Sequence, residues 1–159
     1  MTFLYWIELV LFICFLINIA YLLFFSIASL SKGKQLRDFS SKDHKRIAIL
    51  IPAYKEDQVI MECVHSCMKQ LYPKDKYDIV VISDRMEEET NMSLSALPVK
   101  LVKVFFGNST KAKALNYAME QIGDSYDIAV VLDADNVIYP DFLNEMNNIF
   151  SESHVQIVQ

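Results

Sequence analysis

The sequence predicts an α/β domain, a mainly parallel sheet with helices on both faces, preceded by one transmembrane helix. Three observations carry this reading. An almost uncharged apolar run fills positions 3 to 30. From Arg46 onward, short runs rich in Ile and Val alternate with longer segments of i, i+3, i+4 periodicity. Three of those apolar runs are followed within a few residues by carboxylates, so the strand ends become the places to look for a ligand.

The run from Phe3 to Leu30 contains Glu8 as its one charge and Asn18 as its main polar interruption. It exceeds the about 20 residues, at ~1.5 Å each, that cross a hydrocarbon core. Tyr5 and Trp6 suit a headgroup interface. A cleaved leader would need a basic start and a shorter apolar stretch, so a retained anchor over residues 1–31 is expected. Lys32, Lys34, Arg37, Lys42, Lys45 and Arg46 follow the run and none of its kind precedes it. The positive-inside rule then places the remainder in the cytoplasm, at the cell membrane. Residues 32–45 read as a basic linker that lies against anionic lipid or serves as a solvated tether.

Residues 46–159 read as the folded domain. "RIAILIPAY" (46–54) has the continuous apolarity of a strand buried on both faces. Between Gln58 and Leu71, the residues Ile60, Cys63, Val64, Cys67, Met68 and Leu71 share one helical face, and Pro73 ends the helix. "YDIVVISD" (77–84) is a second buried strand, and the charged stretch after it leads into a short helix. "VKLVKVFF" (99–106) carries Lys100 and Lys103 on opposite faces and fits a strand nearer an edge. Ser109 or Thr110 can cap a helix whose apolar face is Leu115, Ala118, Met119 and Ile122. "YDIAVVLDAD" is expected as another buried strand, Pro140 as a first-turn residue of a helix through Phe150, and "HVQIVQ" as the start of one more strand.

Composition excludes several functions. Residues 47–159 carry nine Lys or Arg against seventeen Asp or Glu, a poor surface for nucleic acid. The chain has three glycines, Gly33, Gly107 and Gly123, too few and too scattered for a dinucleotide fingerprint or a P-loop. Three cysteines give no disulfide framework. Cys63 and Cys67 lack a second ligand pair, so buried thiols are expected rather than zinc.

The strand ends bring Tyr54, Glu56, Asp57, Asp84, Asp133 and Asp135 toward one rim. Carboxylates this close need a cation or donors. Hard oxygen ligands favour magnesium or manganese (Mg2+ or Mn2+), with coordination positions left for a polyphosphate. Lys111 and Lys113 at a helix start would add positive charge beside the dipole, although a solvated first turn explains Lys113 as well. Asp after a strand is also a common turn residue, so each motif alone says little.

Four stretches in order, "IAILIPAYKE", "VVISD" followed by "EEET", "KAKALNYA" and "VVLDADN", resemble family 2 glycosyltransferases. They look like the Rossmann-like GT-A half of membrane synthases for cellulose, hyaluronan, chitin and related polysaccharides. The resemblance implies a nucleotide-diphosphate sugar, with a UDP-sugar favoured. Pro52, Ala53, Tyr54 and Glu56 would lie beside the nucleotide, Asp84 at base or ribose, and Lys111 near the nucleotide. Asp133 and Asp135 would bind sugar nucleotide and metal, the second holding the dication. Ser83 stands where many members have an Asp, and Lys113 where the pattern has glycine. The family's downstream catalytic base and its Gln-x-x-Arg-Trp segment are absent up to Gln159. An incomplete GT-A domain is therefore expected, with inverting transfer to a glycan or lipid-linked acceptor belonging to a longer enzyme or to a second chain. Two alternatives remain at this point. One is a non-catalytic fragment that binds nucleotide or a partner. The other is a haloacid-dehalogenase-like phosphatase, because "DADNV" also fits that nucleophile motif, though late in the chain for it.

Overall fold

The computed structural model describes residues 2–30, 43–151 and 155–158. It divides into two compact units, Met1–Asp38 and Phe39–Gln159. Most of the basic linker, residues 31–42, lies outside the described residues.

The first unit is helix α1, Thr2–Leu30. Its side chains are exposed from Phe3 to Ala28, and that stretch of 26 residues is long and apolar enough to cross a membrane.

The second unit is built on a four-stranded parallel sheet in the order β3-β2-β1-β4. Strand β1 (Ile47–Tyr54) and strand β2 (Tyr77–Asp84) are central and nearly all buried. They pair from Ile47 against Tyr77 through Tyr54 against Asp84. Strand β3 (Lys100–Val104) is the edge strand its exposed lysines announce. Among the described residues strand β4 (Ile128–Val131) pairs only with β1 and is half exposed, with Val131 50% exposed. The expected burial on both faces fails here because β4 has a neighbour on one side only. Residues 155–158 carry no strand, contrary to expectation, while His154 and Gln159 lie outside the described residues.

Side chains alternate between two cores. Ile47, Ile49, Ile51 and Ala53 of β1, with Ile79 and Val81 of β2, pack with residues of α2 (Ile60–Met68), α3 (Glu88–Ser95) and α5 (Phe142–Phe150). Ala48 and Leu50 of β1, with Val80 and Ile82 of β2, pack with Ala114 and Ala118 of α4 (Lys111–Ile122) on the other face. Each fully buried Ile or Val contributes about 1.5–3 kcal/mol, so these two strands dominate the domain's stability. Helix α2 is shorter than its pattern suggested, because residues 57–59 form a turn. Met119 faces solvent rather than the core, and α5 begins two residues after Pro140, which stands in the preceding turn.

Candidate nucleotide-binding site

The alternation that builds the two cores also aims the strand ends. Pro52 and Tyr54 follow Leu50 on the α4 face, and Asp84 follows Ile82 there. Together with Ala53, Glu56, Asp133, Ala134 and Asp135 they line a cavity of about 480 Å3, closed by Ser109, Thr110, Lys111 and Ala114 of the α4 start. All eight site residues expected from the sequence therefore border one cavity. Four more, Ser109, Thr110, Ala114 and Ala134, escaped that reading. The capping pattern pointed to the first two, but small apolar residues such as the alanines leave no signal until the backbone brings them to a wall.

Asp57 does not join the rim. Its Oδ1 accepts a hydrogen bond from the Glu87 backbone N–H at 2.8 Å, and it borders a separate, mostly polar cavity. Ser83 is one residue before Asp84 and so points to the opposite face, where its hydroxyl donates to Asn91 Oδ1 at 2.6 Å. Ser83 thus serves the α3 packing and does not enter the cavity.

Two turns hold the floor of the site. Lys55 and Arg85, each directly after a strand, both have φ of 56°, a left-handed conformation that costs a non-glycine residue about 1–2 kcal/mol. Three hydrogen bonds lace the turns together. Lys55 N–H donates to the Asp84 carbonyl at 3.2 Å, Glu56 N–H to Met86 Sδ at 3.1 Å, and Glu87 N–H to Asp57. Arg85 stacks 5.2 Å from the Phe105 ring and 6.0 Å from the Tyr54 ring, and donates to the Phe106 carbonyl. Tyr54 is 46% exposed, so its ring remains available to a planar ligand.

Asp84 is 4% exposed, and its Oδ1 is buried without a hydrogen-bond partner among the described residues. A buried acceptor left unpaired costs about 1–3 kcal/mol, and the residue that carries it lines the cavity. On the opposite wall, Asp133 pairs with Lys111, the first residue of α4. Thr110 caps that helix by accepting from Lys113 N–H at 3.2 Å, and Lys113 Nζ reaches back to the Asn108 carbonyl. Lys113 is thus used locally. Asp135 is exposed and makes no hydrogen bond or ion pair among the described residues. Cys63 and Cys67 are buried beneath this loop, and the Cys63 thiol lies 3.7 Å from the Asp133 carbonyl. Its hydrogen bond with Cys67, its burial and the nearby Asp135 carboxylate push that thiol above the usual cysteine range.

Among the described residues no three His, Cys, Asp or Glu side chains gather as a metal cage.

Residues 44–159 match the profile of the family described as Glycosyltransferase like family 2. Among characterised proteins, the chain is 29% identical over 102 residues to the probable glycosyltransferase YdaM of Bacillus subtilis, covering 60% of this chain and 24% of that one. It is 27% identical over 128 residues to the hyaluronan synthase of Streptococcus pyogenes, covering 74% and 30%. Among solved structures it resembles the mannosyltransferase PcManGT from Pyrobaculum calidifontis in complex with GDP-Man and Mn2+, with a TM-score of 0.59, 25% identity and coverage of 86% and 41%. S. aureus TarS 1–349 in complex with UDP-GlcNAc shares the fold, with a TM-score of 0.58, 21% identity and coverage of 69% and 32%. The chain spans 24% and 30% of the length of these two curated relatives.

Proposed function

The chain belongs to the glycosyltransferase-like family 2, and from that premise we propose that its second unit binds the donor, a nucleotide-diphosphate sugar, for inverting sugar transfer in glycan or polysaccharide synthesis. The observation that carries this reading is the buried, unpartnered carboxylate oxygen of Asp84, a residue that lines a cavity of ligand size. A nucleoside supplies the missing donor through a ring N–H or a ribose hydroxyl. Tyr54 then offers a stacking face, with Pro52, Ala53 and Glu56 alongside. The diphosphate lies toward Lys111 and the α4 start, where free N–H groups and the helix dipole favour an anion. Asp133 and Asp135 would hold Mg2+ or Mn2+, and the open carboxylate of Asp135 fits that role. When bound, the dication offsets charge that grows on the leaving diphosphate. The complexes of PcManGT with GDP-Man and Mn2+ and of TarS with UDP-GlcNAc support a nucleotide sugar and a divalent ion as the ligand class. UDP-sugars are the favoured donors.

The phosphatase alternative loses ground. Its nucleophile belongs on a first strand, whereas Asp133 follows the fourth and is engaged by Lys111. We propose donor and metal binding for this unit and assign no acceptor base among the described residues. The acceptor would be a glycan or lipid-linked saccharide. Helix α1 would anchor the domain at the cytoplasmic side of the cell membrane, with residues 32–45 as its tether and the domain from 46 onward. Displacement of a fluorescent UDP analogue by UDP-sugars in the presence of Mn2+ tests the proposal. Asp135→Ala is expected to weaken displacement at least about tenfold and to erase its dependence on the ion. Unchanged binding in that variant would remove the metal role.

A further inference from the structure

Four carboxylates border the cavity, Glu56, Asp84, Asp133 and Asp135, and Lys111 is the one Lys or Arg among its lining residues. That ammonium does not stand free for an anion. It is engaged with Asp133, one of the two carboxylates placed to hold a dication. Two features of the cavity are thus incompatible as they stand. Full use of Asp133 by an ion requires Lys111 to leave, and full use of Lys111 by a phosphate requires Asp133 to be neutralised by something else.

We propose that Lys111 is a resident counter-cation, which neutralises Asp133 in the ligand-free pocket and passes to the diphosphate when a dication engages that carboxylate. This rests on the donor-binding reading above and adds a consequence to it: the lysine and the ion compete for Asp133, while the lysine and the diphosphate attract. The position of Lys111 at the first residue of α4 makes the exchange short. A diphosphate at that helix start lies beside the same ammonium, and the capping Thr110 keeps the helix end fixed during the exchange. Lys113 cannot substitute, because its ammonium is turned back to the Asn108 carbonyl.

The competition predicts an effect opposite in sign to that of a lysine that only assists ligand binding. Both members of the pair are about half exposed, so the effect is modest, about two- to five-fold in affinity. Mn2+ binding to the 159-residue chain in detergent, read from the electron paramagnetic resonance of the free ion, measures it directly. Without nucleotide, Lys111→Met is expected to bind Mn2+ about two- to five-fold more tightly than the wild type, and Lys111→Arg to match the wild type. In an Asp133→Asn background, Lys111→Met should have no effect on the ion. With UDP present, Lys111→Met should bind UDP more weakly. Equal or weaker Mn2+ binding by Lys111→Met without nucleotide, alongside normal Mn2+ binding with UDP, overturns the counter-cation role and leaves the donor site standing. Absence of Mn2+ binding in every state, UDP included, overturns both. Thermal unfolding of each variant confirms that the comparison is between folded proteins.

Discussion

Asp84 sits at the end of the central strand, 4% exposed, with Oδ1 unpaired. A side chain kept there for stability alone would have a partner, so truncation should separate stability from binding. Asp84→Ala is expected to leave the ligand-free protein at least as stable as the wild type, and more stable by up to about 1–3 kcal/mol, as read by urea denaturation. Asp78 shows the contrast of a satisfied carboxylate at the other end of the same strand. Burial raises its affinity for a proton, but the hydrogen bonds from Tyr126 and Lys100 and the charges of Lys100 and Arg46 outweigh it and hold the group below the usual carboxylate range. A carboxyl group depressed in the native state contributes stability above its unfolded pKa of about 3.9 and loses it as pH falls through the native value. Asp78→Asn should therefore flatten the fall in melting temperature below about pH 4 and lower the plateau above it. The residue scale was partly legible in the sequence. Asp84, Asp133 and Asp135 announced themselves by standing at strand ends. The partners of Asp57 and Asp133 did not, because Glu87 and Lys111 lie 30 and 22 residues away.

At the scale of elements, β1 and β2 were readable because strands buried on both faces need apolar residues at every position. Strand β4 has the same apolar signature and a different environment, since apolarity records what a strand tolerates and not how many neighbours it has. The start of α5 was misplaced for a related reason. Its first turn is satisfied across the fold by buried Gln70, whose Oε1 accepts from Leu143 N–H at 3.1 Å while its Nε2 donates to the Tyr139 carbonyl at 2.9 Å. The local proline was the stronger cue in the sequence, but the long-range cap fixes the helix. Gln70→Ala leaves the buried Leu143 N–H unpaired, while the Tyr139 carbonyl keeps the Phe142 N–H at 3.1 Å, and should cost about 1–3 kcal/mol, measured by the shift of the urea midpoint at constant slope.

Over the whole chain, two units of opposite character follow each other: an apolar helix with almost no charge, and an acidic α/β domain whose strand ends meet at a cavity. If α1 is an anchor as proposed, the chain stays with membranes after alkaline carbonate washing, and a variant starting at residue 39 is released to the supernatant. The central claim concerns the cavity. Calorimetric titration of UDP with Mn2+ into the wild-type chain and into Asp84→Ala tests it most directly. The expected result is saturable one-to-one binding by the wild type, at least about tenfold weaker in the variant, corresponding to about 1.4 kcal/mol or more. Binding of equal strength in both proteins, or none in the wild type, would contradict it.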